Sequence, residues 1–409
     1  MNTISKEHRK VLRDAWRKWG DAQQVLADEI IDGELGDARD DNELAQCLRA
    51  MGRVASMCLT HRLDFNDPDF PLFFRQMDDR YRYGGPDLNI AYFMTALRGD
   101  ASYRVRGNNA GRSLNLGTLW QHEIATDQDG TFEVNVSADE SAGNWSPLAS
   151  DLQGHLGIPD QYPTAGAGLT VRRYDWDWDQ ELAPGWLSIE RVDDAAPDYP
   201  ASLDSQNLAD QIINATKLFN AAGRWWIERA ARVREQHQPN VITPPSTTPP
   251  GVINFKAPAS AGKPWLYYGI ISYDLDQDDA IFIETDQPDG DYWSFTLYNV
   301  WWESPDIMNR QTSLNQNQAH IDDDGKVRFV IAPKDPGVPN WLDSGDGRRG
   351  FLHYRWFRPD QSLPEPVAQL VRQSDVRQRL PKDHPEITPA RRKAILSRRR
   401  EQLAKRFQR

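Results

Sequence analysis

The residues best suited to chemistry in this sequence are acids interleaved with tryptophan. In RRYDWDWDQE (172–181), strand alternation places Asp175, Asp177 and Asp179 on one face and Trp176 and Trp178 on the other. Same-face neighbours on a strand lie about 6.5–7 Å apart, a spacing that an acid/base carboxylate pair uses around a bound water. Crowded carboxylates repel, which raises at least one pKa and supplies a proton donor near neutral pH. The plainer reading is a strand with Trp in the core and Asp in water.

A second cluster, SYDLDQDDAIFIE (272–284), offers Asp274, Asp276 and Asp278 in a D-x-D-x-D opening. A calcium loop of that type needs Gly at its sixth position and Glu at its twelfth, where this chain has Asp279 and Thr285. A solvated turn or a pocket rim is the better expectation. The third cluster, YNVWWESPDIMNRQTSLNQNQ (298–318), collects Trp301, Trp302, Glu303, Arg310 and Asn315. Aromatic plates beside Glu, Arg and amides suit a polyhydroxylated ring, with stacking on its face and hydrogen bonds at its edge.

From these clusters the expected enzyme is a hydrolase or lyase for a small hydroxylated or ring-bearing molecule such as a carbohydrate. Asp278 or Asp177 is the general base, Glu303 the general acid, and Arg310 orients the substrate. Trp301, Trp302, Trp176 and Trp178 stack on it and Asn315 bonds to it. The alternative is a non-catalytic ligand-binding or assembly module. No cofactor is implied and no metal-ligand set is legible. The eight His are scattered, so a His-based metal site has to be assembled by the fold.

The elements that must position these residues fall into regions. Residues 1–80 read as helical and 81–200 as a strand-rich unit. Residues 201–238 read as a connecting helix and 239–263 as a Pro-rich linker. A second strand-rich unit spans 264–364, and 365–409 is a basic helical tail. The two strand-rich units resemble each other. YFMTALRGDASYRVRGN (92–108) aligns with IFIETDQPDGDYWSFTLYN (281–299), DGTFEVNVSADESAGNW (129–145) with DGKVRFVIAPKDPGVPNW (324–341), and LTVRRY (169–174) with LHYRWF (352–357). This alignment places Asp87 and Asn89 opposite Asp276 and Asp278, and leaves residues 148–165 as an insertion in the first copy. Arg172 and Arg355 fall mid-strand, so each needs a buried or interfacial partner if it faces inward.

The segment from YWSFTLYN through DDDGKVRFVIAPKDPGVPNWLDSGDGRRGFLHYRWFRP resembles the bacterial domain-of-unknown-function family numbered 1214, and the trailing ARRKAILSRRREQLAKRFQR is similar to the basic tail of such proteins. The resemblance is specific over about 265–409 and reaches 83–200 through the repeat. It implies a jelly-roll-like antiparallel β-sandwich and no established chemistry. The expected architecture is therefore α+β: two related sandwich units, an N-terminal helical region, a connecting helix and a basic C-terminal helix.

Composition limits the partners. The net charge of −12 argues against general nucleic-acid binding. Residues 383–409 carry nine Lys/Arg against three Asp/Glu, so the rest of the chain is more acidic still. That contrast favours docking of the tail on its own protein or on a second copy, with a homo-oligomer joined through the basic C-terminal helix as the expectation. The longest apolar runs fall short of a membrane span, and the charged start is unlike a signal peptide. With two cysteines, Cys47 and Cys58, a disulfide framework is excluded, and the cytoplasm is the expected compartment.

Overall fold

The computed structural model describes residues 4–148, 167–180, 185–248, 259–260, 263–264, 266–358 and 363–408. Residues 149–165 of the expected insertion and much of the Pro-rich linker lie outside the described residues.

Three helices pack together at the N-terminal side: α1 (Lys6–Ile31), α2 (Asp41–Asp64) and α3 (Ser205–Gln236). Asp40 and Asp204 cap α2 and α3, accepting from the backbone N–H of Glu43 and Asn207. Each helix buries one stripe: Trp19 and Leu26 from α1, Met51 and Val54 from α2, Phe219 and Trp225 from α3. α3 is thus more than a connector. At Gly223 a side chain would meet Leu26 at 2.8 Å, so the missing Cβ lets α1 and α3 approach.

Two antiparallel-rich sandwiches follow. The first pairs a sheet of order β1-β2-β8-β4-β5 with one of order β7-β6-β3-β9. Its strands are β1 (Phe74–Met77), β2 (Ile90–Leu97), β3 (Tyr103–Asn108), β4 (Ser113–Leu116), β5 (Leu119–Trp120), β6 (Thr131–Ser137), β7 (Trp145–Pro147), β8 (Ala167–Tyr174) and β9 (Trp186–Arg191). A short hairpin, β10 (Ala259–Ser260) with β11 (Lys263–Pro264), precedes the second sandwich. That sandwich pairs β12-β18-β14-β15 with β17-β16-β13-β19. Its strands are β12 (Leu266–Asp274), β13 (Asp279–Asp286), β14 (Tyr292–Asn299), β15 (Ser313–Asn315), β16 (Lys326–Ala332), β17 (Trp341–Asp343), β18 (Arg349–Phe357) and β19 (Val367–Arg372). Strand alternation fills each interior, with Val105, Val134 and Val171 in one and Phe295, Phe329 and Trp356 in the other.

The sheet orders match strand for strand: β2-β8-β4-β5 corresponds to β12-β18-β14-β15, and β7-β6-β3-β9 to β17-β16-β13-β19. Two of the three aligned sequence blocks agree with this. The first does not: by pairing, β2 corresponds to β12 and β3 to β13, so the 92–108 alignment with 281–299 is one strand out of step. Alternating β-formers recur every strand, so local pattern alone does not distinguish a strand from its neighbour. Asp87 and Asn89 consequently precede β12's counterpart and do not correspond to Asp276 and Asp278.

The shared turns explain the shared motifs. Gly130 and Gly325 both take positive φ, and their N–H groups donate to Asp127 and Asp322. Asn144 spans the backbone of Ala125 and Glu133, and Asn340 spans that of His320 and Arg328 in the same way.

Strand content extends past the helical regions at both ends. β1 lies within 1–80, and β19 within the tail, where it completes a sheet of the second sandwich against β13. The tail ends in α4 (Pro389–Gln408). This helix docks on its own chain. Leu403 is buried with Leu88 and Ile307, Arg406 pairs with Asp175 at 2.9 Å, and Arg398 pairs with Asp179 at 2.6 Å. Among the described residues no helix is long and apolar enough to cross a membrane.

Candidate functional site

The three sequence clusters end in different surroundings. β8 stops at Tyr174, so the DWDWD run is a loop instead of a strand. Asp175 pairs with Arg406, while Asp177 accepts the Asp179 N–H at 3.1 Å. Trp176 stacks on Tyr292 with centroids 5.4 Å apart, and Trp178 lies under Arg399 and Arg406.

The acids of the calcium-like segment do not converge either. Asp274 pairs with Arg39, Asp276 with Arg348 and Asp278 with Lys334, each to its own cation. Asp278 is 75% exposed and lines a surface groove of about 490 Å³ with Lys334 and Arg372.

The Trp-Trp-Glu loop folds inward. It is the segment between β14 and β15, where the first sandwich has only Gly117 and Thr118. Trp301 enters the helix bundle and donates to Glu43 O at 2.7 Å. Trp302 is fully buried between Tyr298 and Phe351, with its backbone at φ +61°. That left-handed conformation is strained for a side chain other than glycine. Glu303 is 1% exposed and ion-paired with Arg53 and Arg49. Arg310 holds Asp343 at 3.1 Å, and burial raises the Asp343 pKa despite that pairing. These side chains therefore pack and pair within the protein, and neither Trp offers an open face for a substrate ring.

What the fold does bring together lies between the sandwiches. Asn315 donates to Asn89 Oδ1 at 2.6 Å and to Trp176 O at 2.9 Å, and Trp178 donates to the same Asn89 oxygen at 2.9 Å. Asn89 in turn donates to Asp87, a buried carboxylate that also accepts from Tyr292 and Ser294 at 2.7 Å. Three sequence candidates, Asn315, Trp176 and Trp178, thus surround two residues that the sequence reading compared with the wrong turn.

Asp87 faces Arg355 at 3.6 Å. Arg355 in β18 registers with Tyr268 and Ser294; its counterpart Arg172 in β8 registers with Tyr92 and Asn115. The matching faces of the two sandwiches therefore meet, each bringing an Arg and a Tyr. Tyr268 lies within electrostatic reach of Arg172, Arg355 and Arg229 of α3, although burial still pushes its phenol up. Burial likewise lowers Arg229 to about 9, which leaves it charged at neutral pH. Arg229 stacks over Trp302 and Trp226.

His353, two residues before Arg355, is buried. Burial first, then Arg355 and Arg229, hold its pKa well below the usual histidine value. The imidazole is neutral at pH 7. Its Nε2, with Thr296 Oγ1 and Tyr174 OH, makes no hydrogen bond among the described residues. Tyr92, Arg172 and Tyr268 are half-buried. Its composition is inverted from the expected acidic cleft: three guanidiniums within reach of Tyr268, with Asp87 facing Arg355. Mid-strand arginines in equivalent positions were the available sequence signal.

Residues 273–361, most of the second sandwich, match the family described as "Protein of unknown function (DUF1214)". The chain resembles that family. The family description gives no chemistry, so the DUF1214-like sandwich carries a fold and leaves the site to its own geometry. An uncharacterised protein from Burkholderia cenocepacia has a similar crystal structure, with a TM-score of 0.75 at 24% identity, covering 90% of this chain and 99% of that one. This likeness establishes the two-sandwich α+β fold. The VPA0106 protein from Vibrio parahaemolyticus is more distant, with a TM-score of 0.40 at 12% identity over 79% of this chain and 98% of that one. Among curated protein sequences none matches the chain.

Proposed function

We propose that this protein binds a small anionic molecule, hydroxylated or ring-bearing, between its two sandwiches. One observation carries the reading: the repeat-related Arg172 and Arg355, with Arg229, share one junction in which Asp87 is the facing carboxylate. Guanidiniums present forked donors that match carboxylate and phosphate oxygens, and a low-dielectric junction strengthens the attraction. Tyr92 and Tyr268, both half-buried, supply phenols and ring edges for the remainder of the ligand. This keeps the substrate class expected from sequence but moves it from the acidic loops to a basic interface.

Acid/base turnover, as a hydrolase or lyase, is the second reading. His353 Nε2 has no hydrogen bond among the described residues. Burial, Arg355 and Arg229 nevertheless hold its pKa well below the usual histidine value and make it a weak base, which favours binding over turnover. Non-catalytic binding uses the same residues. Cytoplasmic residence accords with Cys47 and Cys58, both free and buried.

The test is a thermal-shift panel of carboxylates, phosphates and sugar acids beside their neutral analogues, on wild type and Arg172→Gln. Arg172 is half-buried and donates to Asn115, so a glutamine there keeps the fold. Stabilisation by anions alone, lost in the variant, supports the proposal by mass action. Equal shifts from neutral analogues, or equal shifts in both proteins, overturn it.

A further inference from the structure

The fold assembles one group of metal-ligating side chains that the sequence leaves scattered. His320, Asp322 and His384 bring one donor atom each to within 4.8 Å of one another. His384 Nδ1 lies 2.6 Å from Asp322 Oδ1, and His320 Nε2 lies 3.3 Å from the same oxygen. We propose that these three residues form a site for a divalent transition-metal ion of the zinc type, built from none of the residues of the anion-binding junction.

The donors are held for the purpose. Arg328 takes Asp322 Oδ2 at 2.6 Å while also bonding Asp324 and Glu284, so Oδ1 is turned toward both imidazoles. Asn340 fixes His320 through its backbone N–H and C=O, both at 2.7 Å. His384 is 3% exposed and its Nε2 has no hydrogen bond among the described residues, so hydrogen bonding uses only half of this buried ring. Two imidazoles and one carboxylate suit zinc-like ions, whereas calcium and magnesium require oxygen donors.

The internal repeat supplies a control. In the first sandwich Asn144 clamps Ala125 as Asn340 clamps His320, and Asp127 stands where Asp322 does. The turn therefore folds without a histidine. The histidine of the second copy, met by His384 from the segment leading to α4, is an addition that the architecture does not need. Binding at Nδ1 moves the imidazole proton now shared with Asp322 Oδ1 to the unbonded Nε2, so the ring stays neutral, and the ring turns slightly to open the separation that two ligands of one ion keep. His320 is half-buried, so water reaches the ion for its remaining position. Because His384 follows β19, the ion also ties the C-terminal segment to the sandwich.

The experiment uses the full chain, tag-free and stripped with a chelator, titrated with ZnCl2 against a chromophoric chelator and with CoCl2 by visible absorption. Wild type takes up one Zn²⁺, and Co²⁺ develops ligand-field bands of a low-coordinate nitrogen–oxygen site. His320→Gln, at a half-exposed position that keeps the fold, weakens binding by at least 10–100-fold, the order lost when even outer-shell partners are removed. His384→Gln does the same. No saturable one-to-one uptake by wild type, or unchanged affinity in His320→Gln, overturns the site.

Discussion

Tyr174 and Phe357 occupy equivalent positions in β8 and β18, and their rings meet with centroids 4.9 Å apart. Ile90 and Leu266, their register neighbours, lie in the same buried cluster, so matching faces of the two units meet. Tyr268 is within electrostatic reach of both Arg172 and Arg355, and Asp87 faces Arg355.

The ring pair should couple the sandwiches. Phe357→Ala is expected to lower the unfolding free energy by about 3–5 kcal/mol, read by urea denaturation. Tyr174→Phe should do the opposite, by about 1 kcal/mol, since its buried hydroxyl has no hydrogen bond among the described residues. A destabilised Tyr174→Phe would mean that the hydroxyl has a partner in solution.

Glu303 separates a structural role from a catalytic one. Glu303→Gln leaves Arg53 and Arg49 without their carboxylate, and Arg53 is mostly buried. The expected loss is about 3 kcal/mol, less whatever the half-exposed Arg49 recovers from solvent. Differential scanning calorimetry measures it. Binding of the junction ligand should be unchanged.

His61 gives the stability a pH dependence. Burial, aided by Arg62, lowers its pKa to about 3 in the folded protein, against 6.5 for the free group. Its pKa is depressed by folding, so the unfolded chain takes up a proton first. Stability is complete above pH 6.5 and falls by about 1.4 kcal/mol per pH unit below it, roughly 2 kcal/mol by pH 5. In His61→Leu the urea midpoint should slope less steeply over this range. An unchanged slope would assign the acid sensitivity elsewhere.

The C-terminal helix should remain with its own chain. Leu403→Asp removes the apolar anchor shared with Leu88 and Ile307. The expected cost is about 2 kcal/mol, which raises tryptic cleavage within α4 about 30-fold if the helix opens before it is cut. Light scattering should give the same mass for variant and wild type. A fall in mass would restore the helix as a subunit contact.

The sequence by itself determined the local elements and the duplication. The N-terminal helical region, the connecting helix, the basic C-terminal helix and the two related strand-rich units follow from patterns among neighbours a few positions apart, and the fold contains them. The acidic body and basic tail also foretold α4's docking, because Arg398 and Arg406 meet Asp179 and Asp175. Tertiary structure alone decided burial and convergence. Trp301, Trp302 and Glu303 look like an open loop until Arg49 and Arg53 of α2 close over it. Strand register, which separates Asp87 from Asp276, depends on pairing partners that repetitive β-formers do not specify. His384 reaches Asp322 across 62 residues of chain. Such contacts arise from how sheets and helices pack, a long-range energy that local spacing does not contain.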